Sequence, residues 1–219
     1  MTTEPTADPR PCIVFGGSFS PFHRGHLGIA RAAHRARPEA LVLLLPAGSP
    51  PHKEASRLLP FAHRIAMLEA IAAAERAWLG SSDLEQRLAA RGPTYTVDTM
   101  RAIAAKRPQC PRLSFIIGGD SLAQLGSWSR PEELCDESEI LTIARPGSDS
   151  EAALRMLTPR LGAQRVAELR RGIILMQPSS ISSTEIRHRL GAGRSISELV
   201  PAAVESYLRK HQLLSSLAH

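Results

Sequence analysis

Two histidines, His23 and His26, stand three residues apart at the end of the run Gly16-Gly-Ser-Phe-Ser-Pro-Phe-His-Arg-Gly-His26. With a helix opening near Gly25, side chains at that spacing can face one way from its first turn. Imidazoles placed there donate hydrogen bonds to phosphate oxygens as charge develops. The glycines ahead of them let backbone N–H groups approach an anion, and the helix start directs its positive end to the same place. The run is neither a G-x-G-x-x-G dinucleotide loop nor a Walker A loop, since no Gly-Lys-Ser/Thr follows. Glycines at a strand-to-helix turn are also ordinary turn chemistry, and two histidines at i, i+3 are also half a metal site. No third ligand is indicated.

A second constellation lies far along the chain, at Ile181-Ser-Ser-Thr-Glu-Ile-Arg187. Ser182 and Glu185 have the spacing of a capping box, which accounts for a helix start and nothing more. The same start, with hydroxyls at Ser182, Ser183 and Thr184 and Arg187 one turn on, is a second anion site. The two readings are compatible.

Positioning these groups requires strands and helices in alternation. Cys12 to Phe15 reads as a buried strand, Gly16 to His23 as a loop, Gly25 to Arg37 as a helix and Ala40 to Leu45 as a second buried strand, which together make a βαβ unit. Helical patterns follow at Ala62 to Ala74, Thr96 to Lys106, Gly119 to Leu125, Ser183 to Leu190 and Pro201 to His211. Strands are expected at Leu113 to Ile117, Ile140 to Ala144 and Gly172 to Met176, whereas Trp78 to Leu88 fits either state. Ser150 to Arg171 has a helical pattern without an evident place in the alternation. The architecture predicted is one doubly wound α/β domain with a parallel sheet, its ligands beyond the carboxyl ends of the strands. Residues 1–11 read as a loose tail and 12–219 as the domain.

Composition narrows the classes. The 219 residues suffice for one α/β domain, and 43% hydrophobic with 22% charged residues is a globular balance. A formal charge of +6 suits an anionic ligand, but basic residues are dispersed, no recognition module is evident and aromatics reach only 4%, so no nucleic-acid partner is expected. Cys12, Cys110 and Cys135 are too far apart for a cysteine metal site or a disulfide scaffold. No run approaches the roughly 18 apolar residues of a membrane span, and the first residues do not form a secretory signal. A cytoplasmic protein with no membrane partner is the expectation; the oligomeric state is open.

Together the two motifs resemble the H-x-G-H nucleotidyltransferase superfamily. The segments between them resemble the bacterial nicotinate mononucleotide adenylyltransferases: Pro50-Pro-His-Lys53, Gly92-Pro-Thr-Tyr-Thr-Val-Asp-Thr99, Phe115-Ile-Ile-Gly-Gly-Asp-Ser121 with Trp128 after it, and Ala144-Arg-Pro-Gly147. Gly193-Arg-Ser-Ile, Val200-Pro and Tyr207 match the family's ending, so the likeness runs from about residue 12 to 214. It implies a Rossmann-like fold and an enzyme of NAD biosynthesis that transfers the adenylyl group of ATP to nicotinate mononucleotide, giving deamido-NAD and pyrophosphate. Mg²⁺ would be held by the substrate phosphates, with no protein metal ligand.

Residue by residue, the resemblance implies that Gly16, Gly17, Ser18 and Phe19 cradle ATP by their backbone. It makes His23, His26 and Arg187 the catalytic groups and has Ser183, Thr184 and Arg187 hold the β and γ phosphates. To the mononucleotide it assigns Lys53, the Thr94-Tyr95-Thr96 segment, Asp120, Trp128 and Arg145. Unaided, Lys53 is a solvated charge, Thr94 or Thr96 a helix cap, Trp128 core packing, Asp120 another cap and Arg145 the close of a strand. One position departs from the family: Ser20 stands where an acidic residue is usual. A weakly catalytic nucleotide-binding paralogue, or a related transferase with another phosphate acceptor, are the alternatives.

Overall fold

The computed structural model describes residues 8–48, 58–177 and 179–217. Six strands make one parallel sheet: β1 (Cys12–Gly17), β2 (Leu41–Pro46), β3 (Leu79–Ser81), β4 (Leu113–Gly118), β5 (Glu139–Ala144) and β6 (Ile173–Leu175), in spatial order β3-β2-β1-β4-β5-β6. The order runs one way from β1 to β3 and the other way from β4 to β6. Its reversal falls between β1 and β4, where Cys12 lies beside Leu113. A crevice opens at that point because the connections leave the two central strands toward opposite edges.

β1 and β2 are apolar without interruption because both faces of the sheet are covered. Ile13, Phe15, Val42 and Leu44 pack on one side with α1 (Arg24–Ala36), α2 (Phe61–Ala74) and α9 (Ala202–Lys210). Cys12, Val14, Leu43 and Leu45 pack on the other with α4 (Thr96–Lys106) and α7 (Ser150–Arg171). The alternation of side chains along each strand divides one run of sequence between two cores. Among the described residues no helix is long and apolar enough to cross a membrane, and the three cysteines form no disulfide.

The ambiguous stretch 78–88 resolves into β3 followed by α3 (Leu84–Ala89). Between β4 and β5 lie α5 (Gly119–Gln124), a single 3-10 turn and α6 (Pro131–Glu137). α6 was not expected from hydrophobic period, yet it carries helix-start signals, with proline in its first turn and Glu132 and Glu133 beside the N-terminus. α8 (Ser183–Gly191) and the short α10 (Leu214–Leu217) complete the set. The helical run without a place is α7, the crossover between β5 and β6. It breaks at Gly162, whose φ of 81° and ψ of 159° are not helical. The tail is fastened at its described end: Arg10 pairs with Asp8 at 2.6 Å and donates to the Ala77 carbonyl at 2.7 Å.

β6 reaches β5 only because Gly172 brings the chain in tightly. A Cβ on Gly172 would stand 2.0 Å from the Ile140 carbonyl oxygen, while the Gly172 carbonyl accepts from Thr142 N at 2.9 Å. Gly172→Ala therefore has to push β6 from the sheet edge. A loss of about 1–3 kcal/mol, the usual range for overpacking, is expected as a lower denaturation midpoint; an unchanged midpoint would contradict this docking.

Candidate active site

The turn after β1 has its carbonyls fixed by groups from three other parts of the chain. Gly17 O accepts from Ala47 N at 2.9 Å, beyond β2. Ser18 O accepts from Arg64 on α2 at 3.1 Å, Ser20 O from Arg187 on α8 at 3.2 Å, and Pro21 O from the Ser183 hydroxyl at 3.4 Å. In a trans peptide C=O and N–H point opposite ways, so anchoring the Gly17 and Ser18 carbonyls turns the Ser18 and Phe19 N–H groups away from those anchors. Phe19 has a φ of 46°, and a left-handed residue within such a turn makes the concave row of N–H groups that binds anions. The Ser20 hydroxyl, 1% exposed, accepts from Leu59 N at 2.9 Å. It ties the turn to the segment entering α2 without supplying a charge.

At the start of α1 the two histidines cap each other. The His23 Nδ1 accepts from His26 N, and the His26 Nδ1 accepts from His23 N, both at 3.3 Å. A neutral imidazole whose Nδ1 accepts carries its proton on Nε2, so this pairing assigns both rings the same tautomer, with N–H on the far nitrogen. The rings stack with centroids 3.6 Å apart. His26 is further bounded by Phe19 at 5.0 Å and Phe22 at 5.4 Å, both fully buried. Gly25 makes room for this arrangement: a Cβ there would lie 2.9 Å from the His23 Nδ1 and 3.1 Å from the Ile181 carbonyl oxygen.

That last contact brings in the second motif. Ser182 caps α8 by accepting from Glu185 N at 3.1 Å, as its spacing predicts. The Arg187 guanidinium spans the Thr184 hydroxyl and the Ser20 carbonyl, 3.2 Å from each, so the two distant stretches of sequence share one wall. A cavity of about 620 Å³ opens beside them. It is lined by His23, Gly25, His26, Ile181 and Ser182, together with Gly119, Asp120, Arg145 and the residues opening α7. The positive ends of α1 and α8 converge on it.

Trp128 lies elsewhere. It lines a smaller cavity of about 200 Å³ with Phe15, Gly16, Phe115 and Ser121, its ring edge-on to Phe115 at 6.3 Å. Gly118, Ile29 and Ile143 border both cavities. Trp128 thus borders the smaller cavity and Asp120 and Arg145 the adjoining larger one, whereas the resemblance assigned all three to one ligand. The start of α4 falls on Tyr95 as cap residue, and neither Thr94 nor Thr96 caps it. Thr94 donates instead to Glu85 at 3.0 Å, and Thr99 to the other oxygen of the same carboxylate. Tyr95 is half exposed. Lys53 lies outside the described residues.

Sequence reasoning missed several participants. Asp149, Ser150 and Ala153 at the start of α7 line the larger cavity, where the Asp149 carboxylate accepts from Ala152 N at 2.9 Å. Nothing in their types marked them. Arg64, 3% exposed, was legible: with Met67, Leu68, Ile71 and Ala72 it occupies the i, i+3, i+4, i+7, i+8 stripe that α2 buries. Burial lowers its pKa from the usual arginine value.

Comparison with known proteins gives the chain its family. The cytidylyltransferase-like family model matches residues 14–189. A protein of Symbiobacterium thermophilum named "Probable nicotinate-nucleotide adenylyltransferase" is 36% identical over 200 residues, covering 91% of this chain and 93% of its own. One of the same name from Pseudomonas aeruginosa is 36% identical over 211 residues, covering 91% and 95%. The nicotinic acid mononucleotide adenylyltransferase of Plasmodium falciparum, solved in complex with NaAD, shares the fold with a TM-score of 0.69 at 19% identity, covering 94% of this chain and 98% of that one.

Gly25→Ala tests the double cap. Alanine suits a helix, but its methyl group displaces the His23 ring or the Ile181 backbone. Affinity for inorganic tripolyphosphate, measured by calorimetry, is expected to weaken about tenfold, the worth of one charge-assisted hydrogen bond, with the melting temperature little changed. Unaltered affinity would mean that the histidine pair does not set the anion site.

Proposed function

The chain belongs to the cytidylyltransferase-like family and, within it, to the nicotinate-nucleotide adenylyltransferases, and from that premise we propose how its two cavities share one reaction. It transfers the adenylyl group of ATP to nicotinate mononucleotide in NAD biosynthesis. An oxygen of the mononucleotide's phosphate attacks the α-phosphorus of ATP, the bond from that phosphorus to the bridging oxygen breaks, and pyrophosphate leaves. The attacking phosphate is ionised at neutral pH, so the enzyme needs neither a strong base nor a covalent intermediate. Its task is alignment and the stabilisation of moving charge.

The larger cavity takes ATP. The far-side N–H groups of His23 and His26 donate to the α-phosphate and the leaving oxygen, where negative charge grows. Ser183, Thr184 and Arg187 hold the β and γ phosphates against the N-terminus of α8, and the turn from Gly16 to Phe19 supplies backbone N–H groups. Asp120, after β4, accepts from ribose hydroxyls, and the planar guanidinium of Arg145 packs on the base. On this reading both serve the adenosine half, not the mononucleotide, because they line the cavity that holds the histidines.

The smaller cavity takes the pyridine ring, with Trp128 stacking on it. The N-terminus of α4 at Tyr95 and Thr96 receives its carboxylate, and Lys53 meets the mononucleotide's phosphate. The ATP phosphates themselves would hold Mg²⁺, which would supply neutralising charge there; among the described residues no group of three histidine, cysteine or acidic side chains is placed to hold a metal. A cytoplasmic setting suits the chain. The observation that carries the reading is the junction of the two motifs, where Arg187 grips the Ser20 carbonyl in the turn that leads to His23.

Pyrophosphate release from ATP and nicotinate mononucleotide is the direct test. Binding of both nucleotides without turnover would overturn the reading in favour of a non-catalytic paralogue. His23→Ala is expected to lower kcat by about 10² or more, the usual cost of one preorganised donor; a kcat equal to wild type would remove His23 from the mechanism. Trp128→Ala is expected to raise KM for the mononucleotide by about tenfold, from a stacking contact of roughly 1–1.5 kcal/mol, and to leave KM for ATP unchanged. An equal rise for both substrates would place the indole elsewhere.

A further inference from the structure

Arg64 reaches the phosphate turn from α2 and joins it to two other segments. Its Nε donates to Leu59 O at 3.0 Å, and one terminal nitrogen donates to both Ser18 O at 3.1 Å and Ala47 O at 2.9 Å. The guanidinium carbon lies 5.1 Å from the centre of the Phe61 ring. Among the described residues no carboxylate pairs with it. Burial disfavours the charged form and pushes the pKa down. A cation buried without a counter-charge costs stability that an apolar residue on the same helical stripe would not cost. All three carbonyls belong to segments at the carboxyl edge of the sheet, outside the packed strands. The side chain therefore orders loops around the site at the expense of the core.

We infer that Arg64 is a positioning residue for the transferase: by anchoring the Ser18 and Ala47 carbonyls together it sets the plane of the Ser18–Phe19 peptide, and so the direction of the N–H groups that meet the triphosphate. The inference rests on the reading of the larger cavity as the ATP site. It acts through the turn and not through contact with substrate, and it falls on the chemical step. A turn whose N–H groups point elsewhere still holds the adenosine end of ATP, but it grips the triphosphate less well and no longer meets the geometry in which the α-phosphorus is attacked. The planar fork is required for this, because three acceptors from separate segments are reached in fixed directions. An ammonium in its place keeps the charge and loses the directions.

Arg64→Lys and Arg64→Gln, purified beside wild type, test the inference. Both are expected to fold with cooperative melting, to lose 10- to 100-fold in kcat and to keep KM for nicotinate mononucleotide within about twofold. The lysine variant is expected to recover little of the loss. A lysine variant with wild-type kcat would show that charge alone matters and would overturn the role assigned to direction. Wild-type kcat in both variants would overturn it outright. So would failure of both to fold, because Arg64 would then be a staple of the structure. A wild-type chain inert with nicotinate mononucleotide would sink the functional reading instead. Tripolyphosphate affinity then decides the inference, supporting it if both variants bind about tenfold more weakly and overturning it if they bind alike.

Discussion

A turn that is to present N–H groups to a ligand must first have its carbonyls taken up by protein. That constraint organises this molecule. The carbonyls of Gly17, Ser18, Ser20 and Pro21 are met by donors from the end of β2, from α2 and from α8. Those donors converge only if β2 lies beside β1 and the last third of the chain returns to the same edge of the sheet. The strand order delivers the first condition. Packing of α8 through the buried Ile186 supports the second. Fold and site are thus coupled through hydrogen bonds to four peptide groups, each satisfied by a partner distant in sequence.

Electrostatics then follow from the arrangement with little further provision. Two helix N-termini and Arg187 supply positive potential, and the caps of α1 are neutral imidazoles in place of the usual acidic or hydroxylic residues. An aspartate cap at the same place would hold the helix equally well and repel a phosphate. A histidine cap satisfies the helix through one nitrogen and brings a second nitrogen on the same ring. The acidic groups Asp120 and Asp149 line the same cavity as the histidines. On the proposed reading they meet the sugar of the nucleotide, while the helix starts meet its phosphates.

Much of this was legible in the sequence because it is local. The βαβ opening, the glycine-rich turn and the Ser182 cap follow from residue types within a few positions of one another, and the strands of the central sheet are long enough to show their pattern. What escaped was set by partners far along the chain. β3 is three residues long and gains its definition from its pairing with β2, whereas β6, equally short, lies within the strand expected at Gly172 to Met176. The cap of α4 falls on Tyr95 while Thr94 donates to Glu85, a partner nine residues back that the residue types at 94–96 do not reveal. The two-cavity division of Asp120, Arg145 and Trp128 depends on where β4 and β5 end in space. Arg64 is the instructive case: a charge on an apolar stripe contradicts the pattern around it, and contradictions of that kind mark residues held for a purpose other than packing.

The break at Gly162 gives the connection between β5 and β6 an elbow. The segment before it lines the larger cavity with Asp149, Ser150 and Ala153 and also buries Leu154, Leu157 and Leu161, while the segment after it buries Val166 and Leu169 in the same core. One crossover is thereby anchored on both sides of its bend, and the joint is a residue where a Cβ would meet no other atom within 4 Å. The elbow lets the first arm turn its opening residues to the cavity without giving up its hold on the sheet.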